Sequence, residues 1–68
     1  MTRREAKQKA ENHVGAIYSA GPLGWAFQLC TFEGTASETR YFARAGAART
    51  GRKEVRDSIA DKYHARGF

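Results

Sequence analysis

Trp25-Ala26-Phe27-Gln28-Leu29-Cys30-Thr31-Phe32, set between Gly24 and Gly34, is the stretch that decides the fold. It is rich in aromatic residues and bounded by glycines, which reads as a β-strand. The polar connection Gly34-Thr35-Ala36-Ser37-Glu38 leads to a second strand over residues 39–45, centred on Tyr41 and Phe42. A connection of that length suits an antiparallel hairpin. Side chains alternate across a strand. One face should therefore carry Trp25, Phe27 and Leu29, with Tyr41, Ala43 and Ala45 pairing to them. The opposite face should carry Gln28, Cys30, Phe32, Arg40, Phe42 and Arg44.

Helical patterns lie on both sides of the hairpin. Thr2-Arg3-Arg4-Glu5 is a capping box, with Thr2 as N-cap and Glu5 at the third helical position. Ala6, Ala10, Val14, Ile17 and Tyr18 then follow a helical period, up to a stop at Gly21-Pro22. Gly15 falls inside this pattern, where glycine costs about 1 kcal/mol relative to Ala. It marks a close approach of backbone to the sheet. After an irregular stretch over residues 46–51, a second helix is predicted over 52–65, with Val55, Ile59 and Tyr63 on one face and Gly67 at its end. The order α-β-β-α gives a small two-layer α+β domain, residues 1–68, with a hairpin packed against two helices.

A chain of 68 residues forms a small core. Twelve of its apolar residues are Ala, and Leu, Ile and Val together number six. Ordering costs roughly 1.5 kcal/mol per residue, so an Ala-rich core needs a supplement. Cys30 is the single cysteine, which rules out an internal disulfide and fits a reducing cytoplasm. As a residue of a central strand it is expected as a buried structural thiol. A partner chain is the remaining supplement, and a homodimer through the hairpin or the apolar helix faces is expected. No apolar stretch reaches membrane-spanning length, and no apolar run follows the charged N-terminus as in a signal peptide.

Formal net charge is +5. By segment it is +2 over residues 1–24 (four basic, two acidic), zero over 25–45 (two and two) and +3 over 46–68 (six and three). The excess is on the helices. Arg3 and Arg4 open the first, with Lys7 following. Arg49, Arg52, Lys53 and Arg56 surround the predicted start of the second. Helix N-termini favour acids, and cations there cost a few tenths of a kcal/mol each. Removing Arg52, Lys53 and Arg56 is therefore expected to leave the fold stable. Free N–H groups beside guanidinium groups form a phosphate site. On the hairpin, Arg40 and Arg44 flank Phe32 and Phe42, an arrangement that either stacks bases and holds phosphates or forms a dimer interface.

Catalytic and metal-binding patterns are missing from the sequence. Residues 46–53 have glycines spaced as in a phosphate-binding loop, but Arg52 and Lys53 stand where that loop requires Lys and then Ser or Thr. His13 and His64 with one cysteine match no zinc spacing. No catalytic residue, metal or cofactor is assigned.

The stretch Thr50-Gly51-Arg52-Lys53-Glu54-Val55-Arg56-Asp57-Ser58-Ile59-Ala60-Asp61 resembles the last helix of double-stranded RNA-binding domains. Those domains also begin with a helix and place basic residues at the start of the last one. They carry a third strand, and a loop between their first two strands, that this sequence does not display. A small sheet followed by a helix is similarly found in the arm-binding domains of phage integrases. In size and economy the chain is similar to small phage and plasmid proteins, anti-CRISPR proteins included. The expectation is a non-enzymatic, nucleic-acid-binding accessory or regulatory protein of the cytoplasm, contacting phosphates through Arg49, Arg52, Lys53 and Arg56, then Arg40 and Arg44, then Arg3, Arg4 and Lys7. The alternative is an inhibitor that binds a host protein or nucleoprotein complex.

Overall fold

A computed structural model describes residues 2–30 and 37–66. Phe32, residues 34–36 of the predicted connection and the Gly67 stop lie outside the described residues, whereas Ser37 and Glu38, read as the end of that connection, belong to the second hairpin strand, which spans Ser37–Phe42 rather than 39–45. Helix α1 spans Arg3–Glu11, strand β1 Tyr18–Ser19, strand β2 Trp25–Cys30, strand β3 Ser37–Phe42 and helix α2 Ala45–Arg66, with a 3-10 turn at Gly21–Leu23. The strands form one antiparallel sheet in the order β1-β2-β3. The α+β class read from the sequence holds, with one strand more than the hairpin.

The capping box at Thr2 forms as expected. The Glu5 amide donates to Thr2 Oγ1 at 3.1 Å, and the Thr2 amide donates to Glu5 Oε1 at 3.2 Å. The Thr2 amide, and after it the Thr2 hydroxyl donating to Glu5 Oε1 at 2.9 Å, hold the Glu5 carboxyl below its ordinary value. The helix they start is shorter than its apolar period predicts. It ends at Glu11, because the backbone beyond is claimed by β2. The Gly15 amide donates to the Gln28 carbonyl at 2.7 Å, the Cys30 amide donates to the His13 carbonyl at 2.7 Å, and Val14 bridges Leu29. Val14 and Ile17 still reach the core, which is why their spacing looked helical. Gly15 is thus not a helix residue. A Cβ there would stand 3.5 Å from the Gln28 carbonyl oxygen, which is the close approach to the sheet that the sequence suggested.

Helix α2 departs from its prediction in the other direction. It begins at Ala45, seven positions before the predicted start at Arg52, and runs for 22 residues. The Ala48 amide already donates to the Arg44 carbonyl at 3.1 Å. The glycines that read as irregular structure, Gly46 and Gly51, are inside the helix. Arg52, Lys53 and Arg56 consequently sit in mid-helix, where the backbone N–H groups are already bonded and present no phosphate site.

The strand register corrects the assignment of faces. Trp25 pairs with Phe42, Ala26 with Tyr41, Phe27 with Arg40 and Leu29 with Glu38. Directly paired residues share a face. Phe42 and Arg40 therefore lie on the face of Phe27, not opposite it, and the Phe27 and Phe42 rings stack at 5.7 Å between centroids. Both helices cover this face. The core joins Ala6 and Ala10 of α1, Val14, Phe27 and Leu29, and Ile59 and Ala60 of α2, with Ile17, Phe42, Val55 and Tyr63 packed around it. The Val55, Ile59 and Tyr63 stripe faces inward as predicted. The other face of the sheet is open. There Tyr18, Ala26 and Tyr41 form one cross-strand row; both tyrosines are exposed and Ala26 is fully buried between them. Cys30 is exposed, because its position alternates with that of Leu29 on the covered face.

Gly51 shows how tightly α2 sits on the sheet. A Cβ at that position would lie 2.6 and 2.8 Å from two carbons of the Phe42 ring. Gly46, on the same helix, has open space, with Arg49 Nη2 the nearest atom at 3.9 Å. The two glycines should respond oppositely to Ala. Gly46→Ala is expected to stabilise the fold by about 0.5–1 kcal/mol through helix propensity. Gly51→Ala gains the same propensity but displaces a stacked ring, for a net loss of about 1–3 kcal/mol. Denaturant unfolding of both variants measures the two signs.

Candidate nucleic-acid interface

Glu11, the last residue of α1, organises the charge. Its Oε2 accepts from Arg52 Nη2 at 2.9 Å and its Oε1 from Arg56 Nη1 at 2.9 Å. Arg52 and Arg56 are four apart on one face of α2, so both guanidinium groups reach one carboxylate. Arg52 also closes the chain that leaves α1, since its Nε donates to the Gly15 carbonyl at 2.8 Å and its Nη2 to the Val14 carbonyl at 3.4 Å. Arg56 turns its remaining donors to Asp57 Oδ1, at 3.3 and 3.2 Å. The bonds from Arg56 and then Arg52 hold the Glu11 carboxyl below its ordinary range. Glu11 first, and Asp57 after it, raise Arg56 above the usual arginine value.

Around this cluster lie two shallow grooves that share Arg56. One is lined by Arg3, Arg4, Lys7, Gln8, Glu11 and Arg56. The other is lined by Ala16, Ile17, Arg49, Arg52, Lys53 and Arg56. Together they form a basic band across both helices, with Glu11 its one acid. Arg4, Lys7 and Arg49 are exposed and hold no ion pair or hydrogen bond among the described residues. Lys53 has only a 3.8 Å contact with Asp57, and its side chain is 70% exposed. Glu54, Asp57 and Asp61 of α2 line a separate depression, from whose edge Asp57 reaches Arg56 and Lys53 and Asp61 reaches Arg3.

The residues singled out in the sequence therefore divide. Arg4, Lys7, Arg49 and Lys53 come together with their charges available. Arg52 and Arg56 join them, but are half-buried and committed to Glu11. Arg3 is tied to Asp61 at 2.8 Å. Arg40 is on β3, paired with Glu38 at 3.0 Å and in neither groove. Arg44 is exposed in the bend before α2. Phe42 is packed on Gly51 and the core, so it does not stack a base. Glu11 is the residue that the sequence did not single out. Its partners are 41 and 45 positions away, and no local pattern links them.

Histidine and cysteine form no second site. His13 Nε2 and Tyr63 Oη are 2.7 Å apart, an inter-element bond that ties the segment after α1 to α2. Among the described residues no group of three His, Cys, Asp or Glu side chains could hold a metal ion, and no helix is long and apolar enough to cross a membrane. No protein-family model, curated protein or solved structure matches the chain.

The geometry reverses the expectation that Arg52 and Arg56 can be removed at no cost. Arg52→Ala abandons two backbone carbonyls and half of the Glu11 pairing, and is expected to lose about 1–3 kcal/mol. Arg49→Ala and Lys53→Ala should stay within about 0.5 kcal/mol of wild type. Glu11 also sets an acid dependence. A carboxyl whose folded-state pKa is depressed contributes its stability above its unfolded value, here about 4.5, and loses it as pH falls through the lower folded value. The gap between unfolding midpoints at neutral and acid pH should be smaller for Glu11→Gln than for wild type, the remainder including the depressed Glu5 carboxyl.

Proposed function

We propose that the protein binds nucleic acid through the basic band of α1 and α2, as a non-catalytic accessory or regulatory domain. The observation that carries this reading is the meeting of Arg4, Lys7, Arg49 and Lys53, from two helices, on one exposed face with almost no acid among them. Arg4, Lys7 and Arg49 hold no ion pair among the described residues and Lys53 only a long one to Asp57, and such exposed cations suit the phosphates of a polyanion, which give affinity more than sequence specificity. Arg56, open to both grooves, joins the two halves of the contact surface. The short strand β1 adds support. Though only two residues long, it gives the chain three strands between its two helices, the strand count that the resemblance of the last helix to double-stranded RNA-binding domains implies. Such a role suits a reducing cytoplasm, where the exposed Cys30 would stay a thiol.

The experiment is binding of a generic duplex and of a single strand at two salt concentrations, for wild type and for an Arg4→Ala, Lys7→Ala, Arg49→Ala, Lys53→Ala variant. All four side chains are exposed, so the variant should keep wild-type stability. Wild-type affinity should fall steeply with salt, with a slope on the order of 0.9 per phosphate contact on duplex DNA. The variant should bind weakly and with a shallow slope. Absence of wild-type binding at low salt overturns the proposal. Recovery of one stoichiometric host protein after nuclease treatment would then favour the inhibitor alternative, for which the exposed Tyr18, Tyr41 and Leu23 offer a contact surface.

A further inference from the structure

Among the described residues strand β3 is an edge strand, because the sheet order places β2 on one side of it and no strand on the other. Its six residues, Ser37–Phe42, include no Lys, Pro or Gly, the residues that commonly blunt an exposed edge. The opposite edge, β1, is only two residues long. The longer edge thus presents backbone N–H and C=O groups with the means to pair.

We propose that β3 pairs with β3 of a second copy, antiparallel and about a two-fold axis through Thr39. The sequence of the strand selects both the partner and the register. A two-fold axis perpendicular to the sheet keeps the helices of both copies on one side and must pass through a residue. Centred on Glu38 it would set two carboxylates opposite each other, and centred on Arg40 two guanidinium groups. Centred on Thr39 it sets Glu38 of each copy opposite Arg40 of the other, twice. It also places the two Thr39 side chains together, a favourable cross-strand pair. Glu38 and Arg40 share the face of Leu29 and Phe27 by register but are exposed at its margin and paired with each other at 3.0 Å, so dimerisation would exchange that contact for two between the copies. The three strands of each copy would then form one continuous sheet of six. This interface is separate from the basic band and stands whether or not nucleic acid binds there.

Light scattering is expected to give a particle of twice 7.6 kDa for wild type at micromolar concentration. Glu38→Arg and Arg40→Glu should each weaken association by on the order of tenfold or more, and the double exchange should restore it. Far-UV circular dichroism of each variant verifies that it has folded. A second measurement does not depend on the charge variants. In a Cys30→Ser background, the axis brings two Thr39→Cys residues about 5 Å apart between Cα atoms, within disulfide reach. Two Ser37→Cys residues would be offset by about 13 Å along the strands, beyond it. Rapid oxidation of the residue-39 variant to a covalent dimer, with slow oxidation at residue 37, supports the register. A 7.6 kDa wild-type particle throughout, or equal oxidation at both positions, overturns the proposal.

Discussion

The Glu11 carboxylate, held between Arg52 and Arg56, is the interaction on which the rest of the structure depends. Helix α1 is nine residues long and buries only Ala6 and Ala10. A helix that short is marginal on its own, and two methyl groups return roughly 1–2 kcal/mol of burial. Docking must be completed by something other than apolar area. The two guanidinium groups complete it, and Arg52 carries the tie onward to the Val14 and Gly15 carbonyls. From there the chain is positioned to pair with β2. One acidic residue thus fixes the helix, the segment after it and the edge of the sheet.

The same arrangement shapes the surface. Pairing with Glu11 draws Arg52 and Arg56 inward, where each retains 23% of its side-chain exposure. They form the floor of the basic band, and the exposed Arg4, Lys7, Arg49 and Lys53 form its walls. The division explains how a small domain can carry so many cations on one side without repelling itself apart. Two of them are neutralised where helices meet, and the rest are at the rim in high-dielectric solvent. Of the α2 acids, Asp57 meets Arg56 and Lys53 and Asp61 meets Arg3, at the margin of the band, and Arg4, Lys7 and Arg49 keep no acidic partner among the described residues.

Much of the fold was legible in the sequence. The capping box at Thr2, the strand around Phe27 and the Val55, Ile59, Tyr63 stripe each depend on neighbours close in sequence. The failures share a different cause. Val14 and Ile17 are inward-facing in any conformation, so their spacing could not distinguish a continued helix from a segment pairing with β2. Gly46 and Gly51 weakened the prediction for the start of α2, because propensity cannot see that a ring requires the absence of a Cβ. The strand register depended on a connection whose sequence does not specify its geometry, and a shift of one residue moved Phe42 and Arg40 to the other face. Site residues were partly recovered because charge excess is a sum over the chain. Their division into paired and available groups is a property of three-dimensional neighbours alone.

Phe42 and Gly51 also make a statement about ancestry. The aromatic ring occupies the volume where a side chain at position 51 would begin, so the two positions share one fixed allotment of space. A divergent chain keeping this architecture can enlarge position 51 only by shrinking position 42. The combination of aromatic with glycine, or small aliphatic with alanine, should therefore be inherited as a unit. Gly24 adds a further fixed point, since its positive φ and the Phe42 carbonyl pressed against it exclude any side chain there. The linked volumes at 24, 42 and 51 would persist as a signature of kinship after most other resemblance has gone.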